Sequence, residues 1–142
     1  MGGALLERWA RSPDWDFTVV DPYTEKVPDG VRLVKERGAI ESERFNLLIV
    51  AIKPQMVDDV MPDYRVVASI AAGCSVKRLQ TAMAAGPVIR IMPNLPALIA
   101  KGVSGLFASP ECSDDHKKSV EALMARSGTV VWVNEEDKLD RV

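Results

Sequence analysis

The alternation of apolar runs with amphipathic stretches is the feature that most restricts the fold of this chain. Runs of strand length alternate with segments of helix length, the pattern of βα units that stack into a mainly parallel sheet with helices on both faces. The run LLIVAI, residues 47–52, has no polar alternation, as expected of a strand covered on both faces. The predicted strands are Phe17–Val20, Val31–Val34, Leu47–Ile52, Val66–Ala71, Val88–Met92, Val103–Ala108 and Thr129–Val133.

Two serines predict where helices begin. Ser75 can cap a helix whose apolar face includes Met83 and which ends before Gly86. Ser113 can cap a second helix, which has acidic residues in its first turn and Gly128 beyond its end. No repeat, low-complexity tract or linker divides the chain, so residues 1–142 are predicted to form one domain.

Charge and cysteine content narrow the class of partner. Lysine and arginine total 18 against 20 acidic residues, so no general basic field would attract nucleic acid or an anionic membrane, and a small molecule is favoured. Cys74 and Cys112 lack CxxC spacing and follow no secretory leader, which favours free thiols in the cytoplasm. No metal-ligand cluster is visible, and residues 47–52 are far shorter than the roughly 20 apolar residues of a membrane-spanning helix.

A pair of glycines and a distant acid have the spacing of part of a nucleotide site. Gly2 and Gly3 open a helix that leads into a strand, and Asp21 follows that strand. Rossmann sites place a glycine turn before the first helix and an acid roughly 20 residues later. Glycines let the backbone approach a pyrophosphate at the helix N-terminus, and the carboxylate accepts hydrogen bonds from ribose hydroxyls. An ordinary Asp-Pro turn next to a glycine-rich start is an equally good account of this feature alone.

Three later strand ends carry small, proline-stiffened or amide-bearing turns. Lys53 and Pro54 follow the strand that ends in Ala51 and Ile52, and an Ala-Ala-Gly turn ends the next strand. The segment MPNLP, residues 92–96, ends a third strand. Ligands of open α/β sheets bind at the carboxyl ends of the strands. These turns are therefore candidates for one ligand site, although helix starts and close packing would also use such residues.

Together these segments resemble the pyrroline-5-carboxylate reductase family, the enzymes of the last step of proline synthesis. The matching segments, in chain order, are MGGALL, AIKPQMV, SIAAG, VIRIMPNLPALIAKGVSGL and GTVVWVNEED. Their order and spacing extend over nearly the whole chain. In that family the KPQ and AAG turns line the dinucleotide site, and the asparagine of MPN lies near the nicotinamide.

The resemblance implies a Rossmann-like, doubly wound domain that holds NADP or NAD. It implies an oxidoreductase that transfers hydride from the nicotinamide to 1-pyrroline-5-carboxylate, giving proline, within a complete enzyme that is a homo-oligomer. It assigns cofactor binding to Gly2, Gly3, Asp21, Ala51, Ile52, Lys53, Pro54, Ala72 and Asn94. It assigns no catalytic residue and no metal to this chain.

Two positions depart from the family pattern. Leu95 stands where the family usually has threonine, so any contribution of that hydroxyl is lost. Asp21 stands where members that use NADP often have polar or basic residues, and a carboxylate repels a 2′-phosphate. The sequence therefore leans slightly to NAD, although Lys26 lies close by in the sequence.

The family pattern also predicts that the chain is a fragment. Met1, Gly2 and Gly3 match the end of the family's GxGxMGG turn, so we expect the first strand to be missing. In a sheet ordered 3-2-1-4-5-6 that strand lies in the middle, and its neighbours would lose hydrogen-bond partners. The family's C-terminal helical domain, which contacts substrate and forms the dimer, would begin after Val142. Such a cofactor-domain fragment is expected to be inactive alone.

Two other interpretations stay open. The chain could be a nucleotide-binding or protein-binding module without catalysis, which would bind dinucleotide while a helical partner fails to restore turnover. It could also be the cofactor half of a hydroxyacid-type dehydrogenase, since those enzymes share a glycine turn and an acid after the second strand. Substrate screening with a restored C-terminal half would separate the second alternative from the imine reductase.

Overall fold

Two separate β-sheets organise the chain. The computed structural model describes residues 1–60, 68–82 and 86–142. The first sheet pairs two strands in parallel, β1 (Thr18–Val20) and β2 (Arg32–Val34). The second sheet contains five strands in sequence order, β3 (Ile49–Val50), β4 (Ala68–Ser69), β5 (Ile89–Pro93), β6 (Gly102–Ala108) and β7 (Gly128–Trp132). Only β5 and β6 pair in antiparallel orientation, so the sheets are mainly parallel among the described strands.

Each predicted strand has a counterpart in the structure, with shifted ends. The largest difference is β3, which covers two residues of the predicted Leu47–Ile52. The predicted strand Val66–Ala71 is observed as β4, and its residues 66 and 67 lie outside the described residues. Met83, predicted on the apolar face of a helix, also lies outside them.

Four α-helices and five 3-10 helices connect the strands in the described parts of the chain. The α-helices are α1 (Gly2–Trp9), α2 (Val57–Val60), α3 (Val76–Ala82) and α4 (Asp114–Met124). The 3-10 helices are Arg37–Ile40, Pro54–Met56, Leu95–Ile99, Ala125–Ser127 and Glu136–Arg141. Ser113 caps α4 as predicted, because its hydroxyl accepts a hydrogen bond from the backbone N–H of His116 at 3.1 Å.

Apolar side chains form two core clusters on opposite faces of the larger sheet. One cluster contains Leu5 and Trp9 of α1, residues 120, 123 and 124 of α4, and Ile89 of β5. The other contains Val57 of α2, residues 76 and 79 of α3, and Val88 beside β5. Neighbouring residues of a strand point to opposite faces, so residues 88 and 89 belong to different clusters. Helices therefore cover both faces, which confirms the predicted α/β fold class.

The strands β1 and β3 each have an edge that no described strand pairs. Among the described residues, side chains rather than backbone hydrogen bonds connect the two sheets, since Phe17 and Ile49 both pack against the cluster around Leu5 and Trp9. Trp9 also stacks on Phe17, with ring centroids 6.5 Å apart.

Candidate functional site

The carboxyl ends of the parallel strands β3, β4 and β5 lie at one edge of the larger sheet. Ala51 follows β3, Ala72 lies in the turn after β4, and Asn94 follows β5. All three residues are exposed. We call these residues, together with Gly2, the strand-end rim.

Gly2 brings the start of α1 against the end of β3. A Cβ atom built on Gly2 would lie 2.8 Å from the Cβ of Ala51 and 3.7 Å from the Cδ1 of Ile70. Real Cβ atoms do not approach so closely, so the helix start can occupy this place only because residue 2 has no side chain. Gly3 meets no atom within 4 Å of an added Cβ, and it is exposed. The structure therefore joins Gly2 and Ala51 and leaves Gly3 open to solvent.

Asp21 follows β1 and fixes its own turn. Its carboxylate accepts hydrogen bonds from the Tyr23 N–H at 2.8 Å, the Thr24 N–H at 3.2 Å and the Thr24 hydroxyl at 2.6 Å. The Thr24 hydroxyl, the Tyr23 N–H and the charge of Lys35 all hold the pKa of Asp21 below its usual value. The group is ionised at neutral pH. Three of about four acceptor positions of the carboxylate are in use, which leaves one for a ligand.

A single arginine connects the turns after β3 and β4. The guanidinium of Arg78 donates to the Pro54 carbonyl at 2.7 Å and lies 3.6 Å from the sulfur of Cys74. Cys74 is fully buried, directly after the turn at residues 71–73. Gly73 has a φ of +71°, a left-handed conformation that favours glycine in this turn. Thus the Lys-Pro turn and the Ala-Ala-Gly turn, predicted separately, are held together.

The remaining residues predicted at the end of β3 differ in exposure. Lys53 is exposed, and its carbonyl accepts from the Met56 N–H at 2.9 Å. The side chain of Ile52 packs against the core cluster around Val57, so its backbone is the part that a ligand could reach.

The side-chain oxygen of Asn94 forms a hydrogen bond within the protein, and within the described residues the side-chain nitrogen does not. Its Oδ1 accepts a hydrogen bond from the Val103 N–H at 3.0 Å, which ties the turn after β5 to the start of β6. Its carbonyl accepts from the Ala97 N–H, also at 3.0 Å. The Nδ2 group has no hydrogen-bond partner among the described residues, so two N–H donors remain for a ligand. The two prolines beside Asn94 restrict this turn further.

Sequence reasoning missed Arg78 and Glu136. Arg78 is one of two basic residues in the first turn of α3, where acidic side chains are favoured, and that departure was the available signal. Glu136 accepts hydrogen bonds from the Val76 N–H at 2.7 Å and from Arg90 at 2.9 Å, across 60 and 46 residues of sequence. No local pattern predicts such contacts. Arg90 lies inside β5, where a buried charge needs a partner, and Glu136 supplies one.

The described parts of the chain contain neither a metal-ligand cluster nor a membrane-spanning helix. Within residues 1–60, 68–82 and 86–142, no three His, Cys, Asp or Glu side chains are grouped so that they could hold a metal ion. Within those ranges, no helix is both long and apolar enough to cross a membrane. Cys74 and Cys112 are both free thiols.

The fold and the strand-end rim define a Rossmann-like α/β protein. Solved structures agree with this class. A pyrroline-5-carboxylate reductase from Coxiella burnetii superposes with a TM-score of 0.81 at 23% identity, over 99% of this chain and 57% of that one. The enzyme from Plasmodium falciparum with NADP bound gives a TM-score of 0.80 at 18% identity, over 99% of this chain and 55% of that one.

Within that class, the chain is homologous to pyrroline-5-carboxylate reductases, which confirms the resemblance inferred from its motifs. The Pasteurella multocida enzyme is 35% identical over 141 aligned positions, covering 87% of this chain and 50% of the relative. The Haemophilus influenzae enzyme is also 35% identical, covering 92% of this chain and 52% of the relative. No family model matches the sequence. The chain spans about half the length of the curated relatives that it matches.

Proposed function

We propose that this chain is the nicotinamide-dinucleotide-binding part of a pyrroline-5-carboxylate reductase. The close approach of Gly2 to Ala51 is the observation that carries the proposal, because it sets a glycine at a helix start beside the end of β3. The homology to reductases over most of the chain supports the same assignment. Inactivity of the chain alone, its organisation as one domain and its cytoplasmic location are parts of the proposal.

The residues at the strand ends fit a dinucleotide. The first backbone N–H groups of α1 have no side-chain cap, and the turn at residues 71–73 exposes Ala72 and Gly73. A pyrophosphate needs this combination of free N–H donors and close backbone approach. When bound, the nicotinamide supplies the hydride that reduces the imine of 1-pyrroline-5-carboxylate.

The chain's own residues then have distinct roles in binding. Gly2 and Gly3 allow the pyrophosphate to approach α1, and Asp21 accepts from a ribose hydroxyl through its remaining lone pair. Residues 51–54 and Ala72 supply the backbone surface against which the dinucleotide lies. Asn94 donates from Nδ2 to the carboxamide oxygen of the nicotinamide, and its bond to Val103 limits the ordering required on binding.

The charge of Asp21 supports a preference for NAD over NADP. The carboxylate is ionised and held in a fixed turn, so it would lie close to any 2′-phosphate on the adenosine ribose. The Plasmodium falciparum relative was solved with NADP bound, so the preference is a point on which this chain would differ from that enzyme. Asp21→Ser should therefore improve the binding of NADPH relative to NADH.

The substrate part of the proposal follows the homology. In the complete enzyme the substrate would be the small molecule 1-pyrroline-5-carboxylate, and the enzyme would be a homo-oligomer. Neither nucleic acid nor membrane is proposed as a partner. A module that binds dinucleotide without catalysis would fit the same rim, so binding and turnover need separate tests.

The first experiment is a titration of the purified chain with NADH and with NADPH. Binding is followed by energy transfer from tryptophan to the nicotinamide, and circular dichroism checks that the chain is folded. We expect saturable binding, tighter for NADH, and no consumption of NADH when 1-pyrroline-5-carboxylate is added. A folded chain that binds neither dinucleotide would refute the proposal for this chain. Turnover that returns when the remaining half of the Haemophilus influenzae relative is added would favour the reductase over a binding module.

Asn94→Asp tests the role of the amide donor. The substitution keeps an oxygen that can accept from the Val103 N–H and removes the Nδ2 donor. Losing one hydrogen bond to the ligand should weaken binding by roughly fivefold or more. Asn46→Asp is the matched control, because Asn46 is exposed and the change in charge is identical. Equal affinity of the two variants would show that the MPNLP turn has only a structural role.

A further inference from the structure

The carboxylate of Glu136 connects the 3-10 helix Glu136–Arg141 to the start of α3 and to β5. One oxygen, Oε1, accepts both from the Val76 N–H at 2.7 Å and from Nη1 of Arg90 at 2.9 Å. Val76 is the first residue of α3 and follows the turn at residues 71–73 closely. Glu136 is the first residue of the 3-10 helix Glu136–Arg141. This oxygen thus joins its own helix to two distant segments, α3 and β5.

The start of α3 depends on this contact. The first N–H groups of a helix have no partner within the helix, and a buried donor without a partner is costly. The hydroxyl of Ser75 accepts from the Arg78 N–H at 3.1 Å, and Glu136 accepts from the Val76 N–H. Glu136 therefore supplies a cap that the local sequence of α3 does not provide.

The 3-10 helix that carries Glu136 is itself firmly packed. Leu139 is completely buried, and a Cβ atom on Gly105 of β6 would lie 3.0 Å from Leu139 Cδ1 and 2.8 Å from Val142 Cγ2. Arg90 is 5% exposed and has a second carboxylate partner in Asp140 at 3.5 Å. Because the helix sits directly on β6, the position of Glu136 is set by the sheet.

We infer that Glu136 is a positioning residue, which holds the turn at residues 71–73 in the conformation that binds dinucleotide. The inference rests on the proposed function for its ligand, but the holding of the turn can be measured without any ligand. Removing the carboxylate leaves the Val76 N–H without a partner and frees the segment between β4 and α3. The same loss would weaken the backbone surface that Ala72 and Gly73 offer to a dinucleotide.

The rate at which the Cys74 thiol reacts with a reagent measures how often this turn opens. Its thiol is fully buried and lies between the turn and α3, so a thiol reagent can reach it only when this segment opens. Cys112 is partly exposed, and among the described residues its sulfur forms polar contacts with the Ser109 hydroxyl and the Val88 carbonyl. It has no contact with Glu136 or α3 in these bonds, so it serves as an internal reference. The reaction of each thiol with 5,5′-dithiobis(2-nitrobenzoic acid) can be followed separately by mass spectrometry of the peptides.

Three variants separate the effect of the Glu136–Val76 hydrogen bond, which we call the tether, from that of the Glu136–Arg90 ion pair. Glu136→Ala should label Cys74 roughly tenfold faster or more, with Cys112 unchanged, because the Val76 N–H loses its partner while Arg90 keeps its second partner, Asp140. Glu136→Gln keeps one oxygen that can accept both hydrogen bonds and should label at nearly the wild-type rate. Asp140→Ala removes the other partner of Arg90 and leaves the Val76 bond in place, so it should also behave as wild type.

Several results would overturn the inference. The first is a labelling rate of Cys74 that does not change in Glu136→Ala. The second is a labelling rate of Cys112 that rises as much as that of Cys74. The third is an equal rise of the Cys74 labelling rate in Asp140→Ala. If Glu136→Ala does not fold, Glu136→Asp takes its place, since it keeps the charge but is one methylene shorter; an unchanged Cys74 rate there is equally contrary.

Titration with NADH distinguishes this inference from the proposed function. Faster labelling in Glu136→Ala together with a wild-type chain that binds no dinucleotide supports the tether and refutes the proposed function. If the wild type binds NADH, Glu136→Ala binds it roughly fivefold or more weakly and Glu136→Gln binds it as the wild type does, both the proposed function and the positioning role are supported. Wild-type binding that is unaffected in Glu136→Ala overturns the positioning role.

Discussion

Substituting Gly102 by alanine tests the contact between the start of β6 and the turn after β5. Gly102 is buried and pairs with Gly128 of β7. A Cβ atom on Gly102 would lie 2.4 Å from the backbone nitrogen of Ala97, 2.5 Å from its Cα and 2.7 Å from its Cβ. Ala97 is completely buried in the 3-10 helix Leu95–Ile99. The added methyl group therefore meets backbone that cannot rotate away.

The geometry sets the size of the effect. Ordinary van der Waals contact begins at 3.4 Å, so the 3-10 helix or the strand must move by about 1 Å. Overpacking of a core typically costs about 1–3 kcal/mol, and we expect the upper part of this range because the clash involves backbone. For a chain of this length each kcal/mol lowers Tm by roughly 3 °C, which gives a decrease of about 6–9 °C.

Unfolding in urea, followed by circular dichroism, measures the decrease in the free energy of unfolding. Gly38→Ala is the matched control, because nothing lies within 4 Å of an added Cβ and its φ is not left-handed. At such a site alanine should be neutral or stabilise the protein by up to about 1 kcal/mol. A free energy of unfolding for Gly102→Ala within about 0.5 kcal/mol of wild type would refute the reasoning, since surface substitutions alone produce that much.

Two other predictions concern Ser113 and Asp21. Ser113→Ala removes the cap of α4 and should cost about 1 kcal/mol in urea unfolding, while Ser42→Ala, at an exposed position, should cost less than about 0.5 kcal/mol; equal effects would contradict the capping role. Because the pKa of Asp21 is lowered in the folded state, its contribution to stability is present above the unfolded pKa of about 3.8 and is lost as pH falls through the folded pKa. The stability advantage of the wild type over Asp21→Ala should therefore be greatest at neutral pH and shrink at pH 3, and a constant difference in urea midpoints would be the contrary result.

Local chemistry explains why much of the fold could be predicted. The seven strands were recognised because apolar runs and their flanking glycines and prolines are encoded over a few residues. The caps of α3 and α4 were recognised because a serine hydroxyl bonds to an N–H only three residues away. The prolines of the MPNLP turn were visible in the sequence, whereas only the structure shows that Asn94 is also held by its bond to Val103.

The sequence by itself determined the order of strands and helices and the positions of the strand-end turns, since each depends on residues that are neighbours in the chain. Tertiary structure alone decided that β6 runs antiparallel to β5 and that Gly2 touches Ala51. It also decided that one oxygen of Glu136 joins Val76 and Arg90. These contacts link residues far apart in sequence, and their geometry is set by how complete elements pack, which no local pattern contains.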